Sequence, residues 1–403
     1  MRRVLALLSL SALAACRDAP GPLAPGDEAA DASLSDQASD SLSPTLDASA
    51  EGVLPGRWIV TLKPGVASLT AGTSLGLRPD YVYTRALNGF AVRLSDSAAR
   101  ALLRDARILS IEPDGIATAT TTETSAPWGL DRIDQRKLPV DTQFHYTATG
   151  QGVTAYVIDT GIRFDHAELS GRAVSLVDEV DGGSADDCLG HGTHVAGTLG
   201  GETYGVAKDV KLVAVRVLDC NGFGTWSQVI AGIDAVIADH QAGVPAVANL
   251  SLGGPKRASV NTAIKNLIGD GVTTVVAAGN GDIFGFPQNA CNVSPAGVRL
   301  AITVGATDQT DTKAPWSNFG NCVDWFAPGV DILSAWVSGP HDTLILSGTS
   351  MAAPHTAGVA ALFLQGSPSA SPAAVRSALF AKTTKGIVKA SSTATNHLLF
   401  TKY

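Results

Sequence analysis

The sequence predicts an α/β protein with a mainly parallel sheet and helices on both faces, preceded by a small α+β unit. Three observations carry this reading. Apolar runs of strand length recur from Val153 onward and alternate with helical patterns, the order that builds parallel sheets. The 42 glycines and only 6% aromatic residues suit close small-residue packing and many tight turns. A length of 403 residues, with 45% hydrophobic and 16% charged side chains, allows two or three domains and excludes a wholly disordered chain. The net charge of −8, with no Lys/Arg-rich run, argues against a nucleic-acid partner.

The elements follow in chain order. Arg2 and Arg3 precede an apolar run, Val4 to Ala15, too short to span a bilayer but suited to a secretory signal peptide. It ends Leu13-Ala14-Ala15-Cys16, which resembles a bacterial lipobox with Cys16 as the lipidated residue. The alternative is ordinary cleavage after Ala12-Leu13-Ala14, and either route exports the chain into a disulfide-tolerant compartment. Residues 17–52, rich in Ala, Ser, Asp and Pro, are expected to be a disordered linker. Residues 53–117 read as the α+β unit. Its strands are Arg57 to Leu62, Asn88 to Leu94 and Ile108 to Ile111, with a helix from Asp96 capped by Ser95. Thr118 to Thr124 lacks periodicity and reads as an exposed connection.

The remainder, 118–403, reads as one large domain. Strands are expected at Val153 to Ile158, Val210 to Leu218, Ala246 to Leu250, Val272 to Ala278 and Ala301 to Val304. Helices are expected at Thr225 to Gln241, Ser259 to Ile268, Met351 to Gln365, and from Pro372 with Ser371 as its cap.

Four segments carry chemistry. In open α/β sheets functional groups gather beyond the carboxyl ends of the strands, and Asp159 lies there in Val157-Ile158-Asp159-Thr160-Gly161. His191 opens a small-residue helix in Gly190-His191-Gly192-Thr193-His194, where it suits a general base. His194 suits structural packing, because the His-Glu-x-x-His metal pattern is absent. Ser350, in Ser347-Gly348-Thr349-Ser350-Met351-Ala352, sits between a strand, Thr343 to Leu346, and a helix. Its hydroxyl and its own N–H there point toward one spot, near the positive end of the helix dipole. Asn280 ends the buried run Val276-Ala277-Ala278-Gly279-Asn280, so its amide can serve as an oxyanion donor or simply as a turn residue.

In the order Asp, His, Asn, Ser these segments resemble the subtilisin-like serine proteases, and within them the proteinase K and aqualysin group. The resemblance runs from Pro127-Trp128-Gly129-Leu130-Asp131-Arg132-Ile133-Asp134 to the C-terminus. It includes Tyr204-Gly205-Val206-Ala207 and Ala214-Val215-Arg216-Val217-Leu218-Asp219. It implies a three-layer subtilisin-like peptidase domain in which Ser350 attacks, His191 moves the proton, Asp159 orients His191, and Asn280 holds the oxyanion. It also implies that the unit at 53–117, with Asn88-Gly89-Phe90-Ala91, is an inhibitory propeptide cut off between about Ala117 and Thr122. The segment Ser251-Leu252-Gly253-Gly254, with Ala278 and Gly279, matches the family's substrate-binding backbone, so extended peptides are the expected substrates. Phe284, Phe286 and Pro287 lie in a stretch longer than the group's pattern and leave the rim of the primary specificity pocket open.

Four cysteines besides Cys16 allow three pairings, and the resemblance selects Cys188–Cys220 and Cys291–Cys322. No cofactor is implied for catalysis. Structural calcium is implied at Asp324 with the carbonyls near Arg299 and Ala301. A second site is implied at Asp131, Asp134 and Gln135, with Asp141 nearby, since hard oxygen donors suit Ca²⁺. A monomer is expected.

Overall fold

The computed structural model describes residues 53–84, 87–115, 121–169, 171–282 and 284–403. The leader with Cys16, the linker at 17–52 and most of the expected cleavage stretch lie outside them. The chain divides into two compact units, Met1–Ile116 and Ala117–Tyr403.

In the first unit, four antiparallel strands lie in the order Pro79–Tyr83, Gly89–Arg93, Val53–Leu62, Ile108–Gly115. Side chains on a strand alternate faces, so Trp58, Val60 and Leu62 fall on one side and pack with Phe90, Val92, Ile108 and Ile111. Ser95 caps the helix Asp96–Leu102 by accepting from the Ala98 N–H at 3.2 Å. Two elements escape the sequence patterns, the helix Ser68–Ser74 and the strand Pro79–Tyr83. The helix has poor formers and no side-chain cap, so packing of its buried Ala71 and Gly72 holds it rather than intrinsic propensity.

The second unit is built on a nine-stranded sheet. Its order is Thr384–Lys385, His397–Leu398, Trp325–Pro328, Ile302–Thr307, Thr273–Ala277, Ala246–Leu250, Thr154–Asp159, Lys211–Arg216, Ala173–Asp178. Every neighbouring pair is parallel except Thr384–Lys385 with His397–Leu398. The alternation of side chains along Thr154–Asp159 makes two cores. Ala155 and Val157 join the helices His191–Gly200, Thr349–Gly366 and Pro372–Lys382 on one face. Tyr156 and Ile158 join Trp226–Asp239 and Ala258–Gly269 on the other. The helix Thr349–Gly366 is buried almost all round, which its run of small and apolar residues allows.

Two expectations need amendment. The stretch read as a plain connection instead forms the strand Thr121–Thr124, paired antiparallel with Gln143–Tyr146. Pairing across the intervening residues supplies what the Thr-rich sequence does not signal. The strand Thr343–Leu346 does precede Ser350, but it forms a hairpin with Ile332–Ala335 and takes no place in the main sheet.

Candidate active site

From Thr154–Asp159 the chain builds strands on one flank of the sheet and then crosses to Ala246–Leu250 on the other. That reversal opens a crevice at the carboxyl ends of the strands, where such sheets hold ligands. Asp159 ends the first strand and is fully buried; its Oδ1 accepts from the Thr160 N–H at 2.8 Å and from His191 Nδ1 at 2.6 Å. Asp159 Oδ2 is buried without a partner.

The start of the helix His191–Gly200 lies so close to the loop after Asp159 that position 192 must be glycine. A Cβ there would stand 2.1 Å from the Gly161 carbonyl oxygen. The Gly192 N–H is free to donate to Thr160 Oγ1 at 2.8 Å. Asp187 secures the same turn through five hydrogen bonds. Its Oδ1 accepts from Thr160 Oγ1 and from the N–H groups of Leu189 and Gly190, and its Oδ2 accepts from Thr193 N–H and Oγ1. Burial pushes the His191 pKa down, but the charge of Asp159, the hydrogen bond to it and the charge of Asp187 prevail and raise it. His194, by contrast, is fully buried with Nε2 against the carbonyls of Ile332 and Leu344, and burial lowers its pKa to about 4.

Ser350 stands in the first turn of Thr349–Gly366 and is half-buried. Its Oγ donates to the Ser251 carbonyl at 3.1 Å and not to His191. Ser350 and His191 line neighbouring cavities of about 680 and 280 Å³ that share Ser251, Leu252 and Gly253. Turning the Ser350 hydroxyl within this crevice re-aims it, and hydrogen bonds of this kind commonly tighten only when substrate is bound.

Asn280 follows the strand Thr273–Ala277 after Gly279, whose φ of +98° lies in the region that favours glycine. Thr349 holds the carbonyl end of the Asn280 amide, its N–H donating at 2.9 Å and its Oγ1 at 2.8 Å to Oδ1. The NH₂ end is thereby left as the donor. Asn318 clamps the same loop, accepting from the N–H groups of Gly281 and Gln288 and donating to the Ala278 carbonyl. Ser251–Gly253 lies between the main-sheet strand and the short pair Gly254–Pro255 with Val293–Ser294, outside either ladder. The Ser251 carbonyl accepts from Ser350 Oγ, and Leu252 and Gly253 line both cavities.

Sequence reasoning missed Thr160, Asp187, Asn318 and Thr349 as supports. Thr160 and Thr349 lie inside the quoted motifs and Asp187 lies three residues before one, and a polar residue that is buried at such a motif is the signal that could have found them. Asn318 stands alone in a loop and offered none.

The disulfides are Cys188–Cys220 and Cys291–Cys322, at sequence separations of 32 and 31. In the chain-entropy account each contributes roughly 3–4 kcal/mol. The first lies three residues before His191. The expected calcium ligands are arranged as follows. Asp324 pairs through Oδ1 with Arg376, whose side chain is 39% exposed, and accepts from the Thr303 N–H at 2.8 Å. Burial raises the Asp324 pKa against the opposing pull of the Arg376 charge and the Thr303 N–H. Asp131 accepts from the N–H groups of Asp141 and Thr142, and Gln135 bridges Asp131 and Asp141. Asp134 accepts from His145, and its buried Oδ1 has no partner. Burial raises the pKa of both Asp131 and Asp134. Among the described residues no three Asp, Glu, His or Cys side chains form a metal-binding group. One orphaned carboxylate oxygen, Asp134 Oδ1, suits a hard cation at the second cluster, whereas Asp324 is paired with Arg376.

Fold and crevice together are those of an α/β protein that holds its ligand where the strand order reverses. Residues 150–399 match the Subtilase family, and residues 34–119 match the family Peptidase inhibitor I9, which takes in part of the stretch expected as linker. An extracellular serine proteinase of a Thermus species is 46% identical, over 98% of this chain and 98% of its own length. The alkaline serine exoprotease A of Vibrio alginolyticus is also 46% identical, over 80% of this chain and 60% of its own. A crystal structure of a cold adapted subtilisin-like serine proteinase superposes with a TM-score of 0.66 at 47% identity, covering 70% of this chain and 100% of that one. The chain belongs to the subtilase family. It is a serine endopeptidase of the subtilisin-like type, an exported protein made as a precursor with an inhibitor domain.

Proposed function

We propose that Asp159, His191 and Ser350 form the catalytic triad of a broad-specificity endopeptidase working through an acyl-enzyme. The observation that carries this is the 2.6 Å hydrogen bond from His191 Nδ1 to buried Asp159, made at the edge of the crevice that Ser350 and Asn280 line. That bond leaves Nε2 as the proton acceptor. Ser350 Oγ, turned toward it, attacks the scissile carbonyl and passes its proton to His191. His191 then protonates the leaving amine, and water reverses the sequence to release the acid. Asn280 Nδ2 and the Ser350 N–H receive the oxyanion.

Main-chain pairing along Ser251 to Gly254 and at Ala278 and Gly279 accounts for breadth of specificity, because it reads backbone and not side chain. The unit at 53–117 acts as the inhibitor of its own chain until cleavage between about Ala117 and Thr122. The leader exports the chain, with Cys16 as a lipid anchor on the precursor. A casein or peptide-anilide assay of the secreted chain tests the reading against its rival, an inactive relative that only binds peptides. Replacing Asn280 by Ala should lower kcat about 10²–10³-fold with KM little changed. That magnitude is carried over from the subtilisin branch of the family. Steady-state kinetics check it; a rise in KM alone would remove Asn280 from the oxyanion role.

Calcium completes the proposal. Asp324, with carbonyls of Arg299 and Ala301, would hold one ion once Arg376 moves away; Asp131, Asp134 and Gln135 would hold another. A bound ion supplies positive charge to buried carboxylates and ties loops together. Chelator should lower the melting temperature of the mature chain by several degrees, since about 1–3 kcal/mol of linkage is at stake. An unchanged melting curve would dismiss both sites.

A further inference from the structure

We propose that the Ser251 side chain is a positioning residue for the nucleophile, supplying the hydrogen bond that Pro354 removes from the helix Thr349–Gly366. In an α-helix the carbonyl of residue 350 would accept from the N–H of residue 354. Residue 354 is proline, which has no N–H and whose ring presses on the carbonyl four residues back. The orphaned acceptor is therefore that of Ser350 itself.

Ser251 occupies the gap. Its Oγ donates to the Ser350 carbonyl at 2.7 Å, while Ser350 Oγ donates back to the Ser251 carbonyl at 3.1 Å. The Ser251 hydroxyl is oriented in turn. Asn249 Nδ2 donates to it at 2.9 Å, so its own proton is left for the Ser350 carbonyl. Asn249 and Ser251 are two positions apart on one extended run and share a face. Both are buried, at 0% and 4% exposure, so solvent does not replace a lost donor cheaply. Grip on this carbonyl fixes the backbone of Ser350 and with it the directions of Oγ and of the N–H proposed for the oxyanion. The segment that receives substrate is thus the one that aims the nucleophile.

The inference rests on Ser350 being the nucleophile, and its test separates the two. Wild type, Ser251→Ala, Pro354→Ala and the double variant are compared on a peptide anilide and with phenylmethanesulfonyl fluoride, a small reagent with no backbone to pair. Ser251→Ala should lower kcat about tenfold, with KM within about twofold, and slow sulfonylation in parallel. In the Pro354→Ala background, where the helix has its own N–H, the same substitution should cost less than about threefold. Ser251→Thr, which keeps the hydroxyl, should recover most of the lost rate. Equal losses in both backgrounds, or a rise in KM with kcat unchanged, would overturn the proposal. Should Ser251→Ala fail to mature, self-processing of the precursor serves as the readout. Recovery in the double variant supports the inference; failure there beside normal Pro354→Ala processing overturns it. A wild-type chain that neither hydrolyses the anilide nor takes the label overturns the nucleophile assignment instead.

Discussion

Ser350→Ala should yield a full-length precursor that folds and does not cut itself. Ser350 contributes one side-chain hydrogen bond, to the Ser251 carbonyl, and is only half-buried. Its loss removes about 1 kcal/mol of stability, far less than a domain holds. The carbonyl of residue 350 remains, and so does its bond from Ser251. Chemistry loses everything that depends on a covalent intermediate. Hydrolysis of a peptide anilide should fall by about 10⁶, the magnitude found when the nucleophile of subtilisin itself is removed. What persists over water comes from the oxyanion donors and from binding. Size analysis of the expressed chain reads the processing, and a stopped assay with concentrated enzyme reads the residual rate. A processed chain at the wild-type rate would move the nucleophile elsewhere.

Much of this site was legible because its chemistry is packed into short motifs. Asp159, His191, Asn280 and Ser350 each sit at a junction where an apolar run ends or a small-residue helix begins. The glycines beside them mark close approach, as Gly192 against the Gly161 carbonyl makes concrete. The alternation of apolar runs with helical patterns likewise foretold a sheet covered on both faces, as Ala155 and Tyr156 in opposite cores bear out. What could not be read is what depends on distant partners. Asn318 reaches 40 residues back to Ala278, and Thr349 reaches 69 back to Asn280. The strand Thr121–Thr124 exists through pairing with Gln143–Tyr146, and its Thr-rich sequence has no apolar face to announce it. The calcium reading shows a related limit. A motif names Asp324, but Arg376, which faces it from the helix Pro372–Lys382, becomes its neighbour only in the fold.

Asp159→Asn should cost about 10⁴ in kcat, the order seen when a triad carboxylate is neutralised while its shape is kept. Asp159 Oδ1 accepts the Nδ1 proton of His191, which presents Nε2 as base. An amide in this place can turn its NH₂ toward Nδ1, and that favours the tautomer whose Nε2 carries the proton and accepts nothing. The pH profile adds a sign that poor folding would not mimic. Two anions face His191, Asp159 and Asp187, and their charges outweigh the effect of burial to raise its pKa. The base works when neutral, so the acid limb of wild-type kcat/KM should lie above the pH at which a free imidazole titrates, near 6.5. Removing the Asp159 charge leaves Asp187 alone against burial, and the limb of the residual activity should move to lower pH. Linkage gives the matching stability effect. A histidine whose folded pKa is raised stabilises the native state below its unfolded pKa, and that contribution disappears as pH climbs through the folded value. The advantage of wild type over Asp159→Asn in melting temperature should therefore be larger at pH 6 than at pH 9. Neutralising the buried carboxylate, whose Oδ2 has no partner, also relieves a desolvation cost, which keeps the variant foldable. An acid limb unmoved by the substitution would mean that Asp159 does not act on His191 through its charge.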